Sequence, residues 1–274
     1  MGQTIAYLLE AFVLLYIAKL VYSKIFRKVD LKAELYARNN YALAVAVSGY
    51  FFGICLALGG ALVGQSQGWQ ADLIAIGLYG ILAIVLMLIA GFLCEKVLLH
   101  SFSNTKEIIE DQNLGTAFVE AGIHIANGLI VLAIVQGEGP LVSGIAFWLL
   151  AQVVFIVAGR LYEMITPHSI HDELERDNAA VGLAFAGLLV GMGNIISIAV
   201  AGDYSGWLVG LQVFAMKVGF GFVALYGIHK LTDVILAPGI SLGSEQVKPQ
   251  PNVGAGLIEA IGFLGGSTLI VWIF

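Results

Sequence analysis

The chain has 274 residues, of which 59% are hydrophobic and only 12% charged, and its mean hydropathy is +0.92. A soluble domain carries about 25% charged residues and cannot hide this much apolar surface, which excludes both a water-soluble enzyme and a disordered chain. The formal charge of −6 argues against nucleic acid as a partner, and the solvent implied is the lipid bilayer.

A helix needs about 20 apolar residues to cross a bilayer core of roughly 30 Å. The first such run, residues 5–22, has neither a basic n-region nor a clear cleavage site, so it reads as a retained span rather than a signal peptide. Seven more follow at residues 42–63, 73–93, 114–135, 141–159, 179–201, 207–228 and 253–273. All are continuously apolar, which argues for helices and against the alternation of a membrane barrel. Pro140, Pro167, Pro238, Pro249 and Pro251 all fall outside the runs. Cys55 and Cys94 both lie in apolar sequence, Cys94 directly after the third run, and have neither disulfide-framework nor metal-site character.

The connections alternate in charge. Lys24, Arg27, Lys28, Lys32 and Arg38 follow the first span, and Lys96 and Lys106 follow the third. Arg160 and Arg176 flank the fifth-to-sixth connection, and Lys230 and Lys248 the seventh-to-eighth. The even connections hold no Lys or Arg and carry Asp72, Glu138 and Asp203. By the positive-inside rule the odd connections are cytoplasmic and both termini lie outside, with Trp69, Tyr204 and Trp207 at the outer interface.

Asn40, Asn113, Asn178 and Asn252 each start an even-numbered span. Two residues after each stands Ala42, Gly115, Ala180 or Gly254, and four after stands Ala44, Ala117, Gly182 or Gly256. Eight residues after come Ser48, Ala121, Ala186 and Ala260. Glu34, Glu107 and Asp172 lie six residues before the first three Asn residues. Asn178 follows Asn40 by 138 residues, and Asn252 follows Asn113 by 139. The expected fold is therefore an all-α membrane protein of two parallel four-helix repeats, residues 1–136 and 137–274, each made of two helical hairpins. A pseudo-twofold axis along the membrane normal would relate them.

The segment TPHSIHDELERDNAAVGLAFAGLLVG (166–191), with its weaker copy LKAELYARNNYALAVAVSGYFFG (31–53), resembles a bacterial inner-membrane family, the domain of unknown function 350 or YjfL-like proteins. Members often have one four-span unit, so the resemblance implies two units in tandem in a bacterial inner membrane. It brings no known catalysis; association of the family with amide-forming ligases and membrane-stress proteins hints at polyamine or envelope biology. The first copy departs from the pattern, with no Thr-Pro before its acidic segment.

The four Asn residues suit helix N-caps, the other reading being a polar ring around a cytoplasmic vestibule. Gly49, Gly53, Gly187 and Gly191 recur at matching offsets and suit close helix packing in lipid. The sharper signal is Glu120 and Glu259, each seven residues after an Asn and about 10 Å into its helix at 1.5 Å per residue. A charge at that depth must be paired, hydrated or neutralised. Asn113, Glu120, His124 and Asn127 share one helical face, and Glu120 and His124 have the spacing of a direct pair. Lys217, near the middle of the seventh span, has Glu259 as its expected partner; Gln152 and Asn194 suit interhelical hydrogen bonds.

These residues point first to a transporter or channel for protons, another cation or a small cationic solute. Glu120 and Glu259 would face each other near the axis, and His124 and Asn127 would join the relay. The alternative is a structural or signalling module whose cytoplasmic segments, His168 and His171 among them, dock a protein partner. Glycine-rich faces would permit a homo-oligomer. No enzyme is expected: no nucleophile elbow, phosphate loop or zinc motif is present, and His124 is the one histidine inside the predicted spans, so no cofactor is predicted.

Overall fold

A computed structural model describes residues 2–63, 66–137, 139–202 and 204–274; Glu138 and Asp203, two acids of the even connections, lie outside them. Among the described residues every regular element is helical. The long helices are α1 (Gly2–Leu20), α2 (Tyr41–Val63), α3 (Trp69–Leu93), α5 (Leu114–Gln136), α6 (Leu141–Ile165), α8 (Ala179–Val200), α9 (Trp207–Leu236) and α11 (Val253–Ile273). Short helices α4 (Asn104–Ile109), α7 (Ile170–Glu175) and α10 (Leu242–Gln246) lead into α5, α8 and α11. Among the described residues eight helices are long and apolar enough to span a bilayer, and the chain is a multi-pass membrane protein. Leu8, Phe12, Ile74, Leu78, Met216, Val223 and Trp272 point outward from the bundle, as lipid-facing side chains do.

The odd-numbered spans overrun their apolar stretches at the basic end. The first continues through a π-helical turn, Val21–Phe26, and the third through another, Cys94–Leu98. The fifth runs to Ile165 and the seventh to Leu236, so His229 lies inside a span, contrary to the expectation that His124 alone would. An apolar run marks where lipid contact ends; the helical hydrogen-bond ladder continues wherever the next residues find partners in the protein.

All four Asn residues cap a helix. Asn40 Oδ1 accepts from Leu43 N, Asn113 Oδ1 from Thr116 N, Asn178 Oδ1 from Ala180 N and Val181 N, and Asn252 Oδ1 from Ala255 N. Such caps satisfy donors that the first helical turn leaves orphaned. The side-chain amide then binds the next hairpin: Asn40 Nδ2 donates to Ile108 O (2.9 Å), Asn113 Nδ2 to Leu174 O (2.5 Å) and Asn178 Nδ2 to Gln246 O (2.8 Å). Asn39, Gln112 and Asp177, one residue before their caps, adopt φ of 52°, 54° and 56°, while Pro251 holds that place in the fourth repeat. The acid that braces the third cap is Glu173, five residues upstream, in place of the expected Asp172; Glu107 braces the second.

The four capped helices form a row, α2–α5–α8–α11, with α1, α3, α6 and α9 on its flanks. Each seam of the row has the same register. A Cβ on Gly49 would lie 2.3 Å from Ala121 Cα, one on Gly122 would lie 2.9 Å from Ala186 Cα, and one on Gly187 would lie 2.4 Å from Ala260 Cα. In every case a glycine nine residues after its cap meets an alanine eight residues after the next. Gly53 and Gly191, thirteen residues after their caps, meet the carbonyls of His124 and Phe263. Without a hydrophobic drive between helices in lipid, backbone contact of this closeness is what binds them. The row stops at α11, where Ile261 occupies the ninth position and is 53% exposed. The seam between the units, α5 on α8, is thus built like the seams within them, and α2 and α11 are the two ends of the row.

Candidate functional site

Glu120 and Glu259 are each 1% exposed, and each is enclosed in a network of its own unit. In the first unit the Tyr22 hydroxyl donates to Glu120 Oε1 (2.9 Å), and Arg27 forms an ion pair with Glu120 Oε2. Arg27 Nε also reaches the Tyr22 hydroxyl (3.4 Å), and its Nη1 donates to Thr105 Oγ1 (2.6 Å). Thr105 donates to Glu95 Oε2 (3.3 Å), and Lys96 Nζ reaches Glu95 Oε1 (3.2 Å) at the surface. The π-helical turn makes this cluster feasible. Residues five apart are about 140° apart around an α-helix, whereas here Arg27 N–H bonds to Tyr22 O and the wider turn brings both side chains to one side. The guanidinium also lies 4.4 Å from the Phe26 ring centroid, and its side chain is fully enclosed.

The second unit repeats the plan with other groups. The Tyr162 hydroxyl donates to Glu259 Oε1 (2.8 Å), His229 Nδ1 lies 2.9 Å from the same oxygen, and Gln246 Nε2 donates to Oε2. The imidazole stacks on Phe263 with ring centroids 6.2 Å apart, and Tyr162 stacks on Phe185 at 5.8 Å. Gln246 belongs to α10, whose carbonyl at the same residue takes the Asn178 amide, so cap and carboxylate share one support. Tyr162 follows Tyr22 by 140 residues, close to the spacing of the repeat. The cations do not correspond: Arg27 comes from the end of the first span and His229 from within the seventh.

Several sequence expectations are corrected. Glu120 pairs with Arg27 and Tyr22, not with His124. His124 is wholly buried against the Tyr50 and Phe26 rings, at 5.1 and 6.4 Å between centroids, and neither ring nitrogen has a hydrogen-bond partner. Lys217 does not meet Glu259; its Nζ donates to Ile198 O (2.6 Å), a carbonyl near the far end of α8. Proximity in sequence misassigned it, because Glu259 sits toward the capped end of α11 and Lys217 toward the opposite end of α9. Asn127 accepts from Gln152 Nε2 (2.8 Å) across the two units, and Asn194 donates to Ser267 Oγ (2.9 Å). Glu120 and Glu259 share no partner, because α5 and α11 flank α8 on opposite sides and each carboxylate keeps its own network.

Tyr22, Arg27, Tyr162, His229 and Gln246 are the members that sequence reasoning missed. The two tyrosines had a signal in their spacing. Arg27 and His229 had none, since one stood among ordinary positive-inside residues and the other just past an apolar run. Outside the spans, His168 faces the same region. Burial pushes its imidazole below the usual value, against the opposing pull of Glu173, Glu259 and Glu163.

Comparison with family models matches residues 1–135, and again residues 138–274, to a family described as Domain of Unknown Function (DUF350). Comparison with curated proteins and with solved structures gives no match.

Proposed function

The chain belongs to the Domain of Unknown Function 350 family, as two tandem units, and on that premise we propose that it is a proton-linked membrane transporter of a cation. The observation that supports this reading is the unequal treatment of two equivalent carboxylates. Glu120 is compensated by Arg27, whose guanidinium does not deprotonate in proteins. Glu259 is paired with His229, and an imidazole, unlike a guanidinium, can take up and release a proton. With His229 protonated the second site is an ion pair of no net charge. When it loses that proton the site carries a buried negative charge, which costs several kcal/mol in a low-dielectric setting and draws in another cation. Exchange of a proton for a cation is the chemistry such a site performs.

In this reading the first unit is the fixed member and the second the working one, the two being related as parallel repeats. The odd connections face the cytoplasm of a bacterial inner membrane, so both networks lie on the cytoplasmic side of the bilayer. Glu163 at the end of α6 and His171 in α7 lie on that side as well. They meet at 3.0 Å, and His171 Nε2 lies 3.0 Å from Leu98 O of the first unit.

The test is flux in proteoliposomes under an imposed pH gradient, with alkali cations and small amines offered in turn. Glu259→Gln and His229→Phe should abolish flux, whereas Lys217→Met should leave it unchanged. Wild-type flux in both site variants would sink the proposal. It would favour the second reading, in which the sealed networks only tie helix ends together beneath a surface that docks a cytoplasmic partner.

A further inference from the structure

An apolar cleft of about 330 Å³ lies between α6 and α9, with α8 and α11 as its back wall. Its sides are Leu161 and Met164 of α6 and Val223 and Tyr226 of α9, and Phe263 and Tyr162 lie deep in it. The first unit differs at the corresponding place. There α1 and α3 pack directly, with a Cβ on Gly80 placed 2.5 Å from the Leu14 side chain. The cleft is therefore not a requirement of the four-helix plan.

Two features say what fills it. The mouth is at the level of spans that face hydrocarbon, and its rim is wide open: Met164 is 79% and Val223 71% exposed. The walls are almost entirely apolar groups and aromatic faces, a surface that suits an alkyl chain. One turn beyond Tyr226 on the same face of α9 stands Lys230, its Nζ 5.7 Å from the Tyr226 ring centroid. The nearest acid on that face, Asp233, accepts the backbone N–H of Leu242 and is held toward α10. A cation over the rim of an alkyl-shaped cleft, at the basic end of the bundle, is complementary to an anionic headgroup.

We infer that this cleft binds one acyl chain of an anionic phospholipid, with the phosphate at Lys230. The inference does not rest on the proposed transport. It does place the lipid against the ring of Tyr162, whose hydroxyl is committed to Glu259.

The experiment is native mass spectrometry of the full chain in detergent, offered equal phosphatidylglycerol and phosphatidylcholine. One phosphatidylglycerol should be retained, in about fivefold preference, the effect of one lysine near a charged headgroup. Val223→Trp and Met164→Trp should each remove the bound lipid by filling the rim. Both positions are largely exposed, and an unchanged unfolding midpoint would show the fold intact. Lys230→Gln should keep lipid binding and lose the preference. Equal retention of the two lipids by the unaltered chain, or full retention in both Trp variants, would overturn the inference. So would displacement of the phospholipid by an equimolar free fatty acid.

Discussion

The hydroxyls of Tyr22 and Tyr162, 140 residues apart, each donate to the buried glutamate of its own unit, at 2.9 and 2.8 Å. A hydrogen bond to a charged acceptor is worth about 1.5–3 kcal/mol net. Tyr22→Phe and Tyr162→Phe should each lower stability by that amount, read from reversible unfolding in mixed micelles. An unshifted transition in both would show that the hydroxyls support nothing.

Among the described residues Arg27 is the one cation on Glu120, which otherwise keeps only the Tyr22 hydroxyl, whereas Glu259 keeps both Tyr162 and Gln246 without His229. Removing one partner of a buried ion pair leaves the other charge uncompensated, at about 3–5 kcal/mol. Arg27→Met should therefore be among the most damaging single changes in the first unit. The double variant Arg27→Met with Glu120→Leu should recover most of the loss, and a thermodynamic cycle on the four proteins measures it. A double variant as unstable as Arg27→Met alone would mean that the pair is not the source of the effect.

Glycines along the row should differ sharply in tolerance. At Gly187 a new methyl carbon meets the Ala260 backbone at 2.4 Å, which cannot yield without separating α8 from α11, while at Gly265 it meets nothing within 4 Å. Gly187→Ala should cost about 1–3 kcal/mol, the usual range for overpacking. Gly265→Ala should be neutral or mildly stabilising, since alanine favours the helix. Thermal unfolding of the two side by side decides; equal effects would refute the register.

Stability should fall as the medium is acidified, in part through His168. Its folded pKa lies below the unfolded value of about 6.5, so the folded chain binds that proton less readily than the unfolded one. The contribution is fully present above the unfolded value and is lost as the pH falls toward the lowered folded one. His168→Asn should flatten the stability profile below about pH 6.5 and leave the alkaline side unchanged. Subtracting the two profiles isolates the contribution of His168 from that of every other group. A difference curve with no slope in that window would discount the role given to burial.

How much of this could be read beforehand depended on contrast. Glu120 and Glu259 stood out because a carboxylate amid an apolar run needs an explanation, and the Asn caps stood out because they recur. The partners of the glutamates had no such background. Tyr22 and Tyr162 are ordinary residues near the end of an apolar stretch, and Arg27 looked like one more cytoplasmic charge. The decisive fact was that odd helices continue beyond their lipid-facing length, by a π-helical turn in one case and by two turns of α9 in another. Hydropathy reports contact with lipid, whereas the residues of those extra turns that reach the glutamates, Arg27 and His229, are buried in protein. The unpaired nitrogens of His124 show the opposite failure: a helical face that suggested a relay carries a residue packed against aromatic rings, with no hydrogen bond to either nitrogen.

The register of the row has a consequence for how the chain can be divided. Because Gly122 meets Ala186 between the units as Gly49 meets Ala121 within one, nothing in that contact requires the loop that joins them. Two separately translated halves, parted between α5 and α6, should find each other in the bilayer and reconstitute the whole. A half left by itself would present Gly122 to whatever small side chain arrives in step, and Ser48 of an identical half sits at the matching place. Covalent fusion of the halves would then be a convenience that fixes their order and ratio, with the adhesive already present in each.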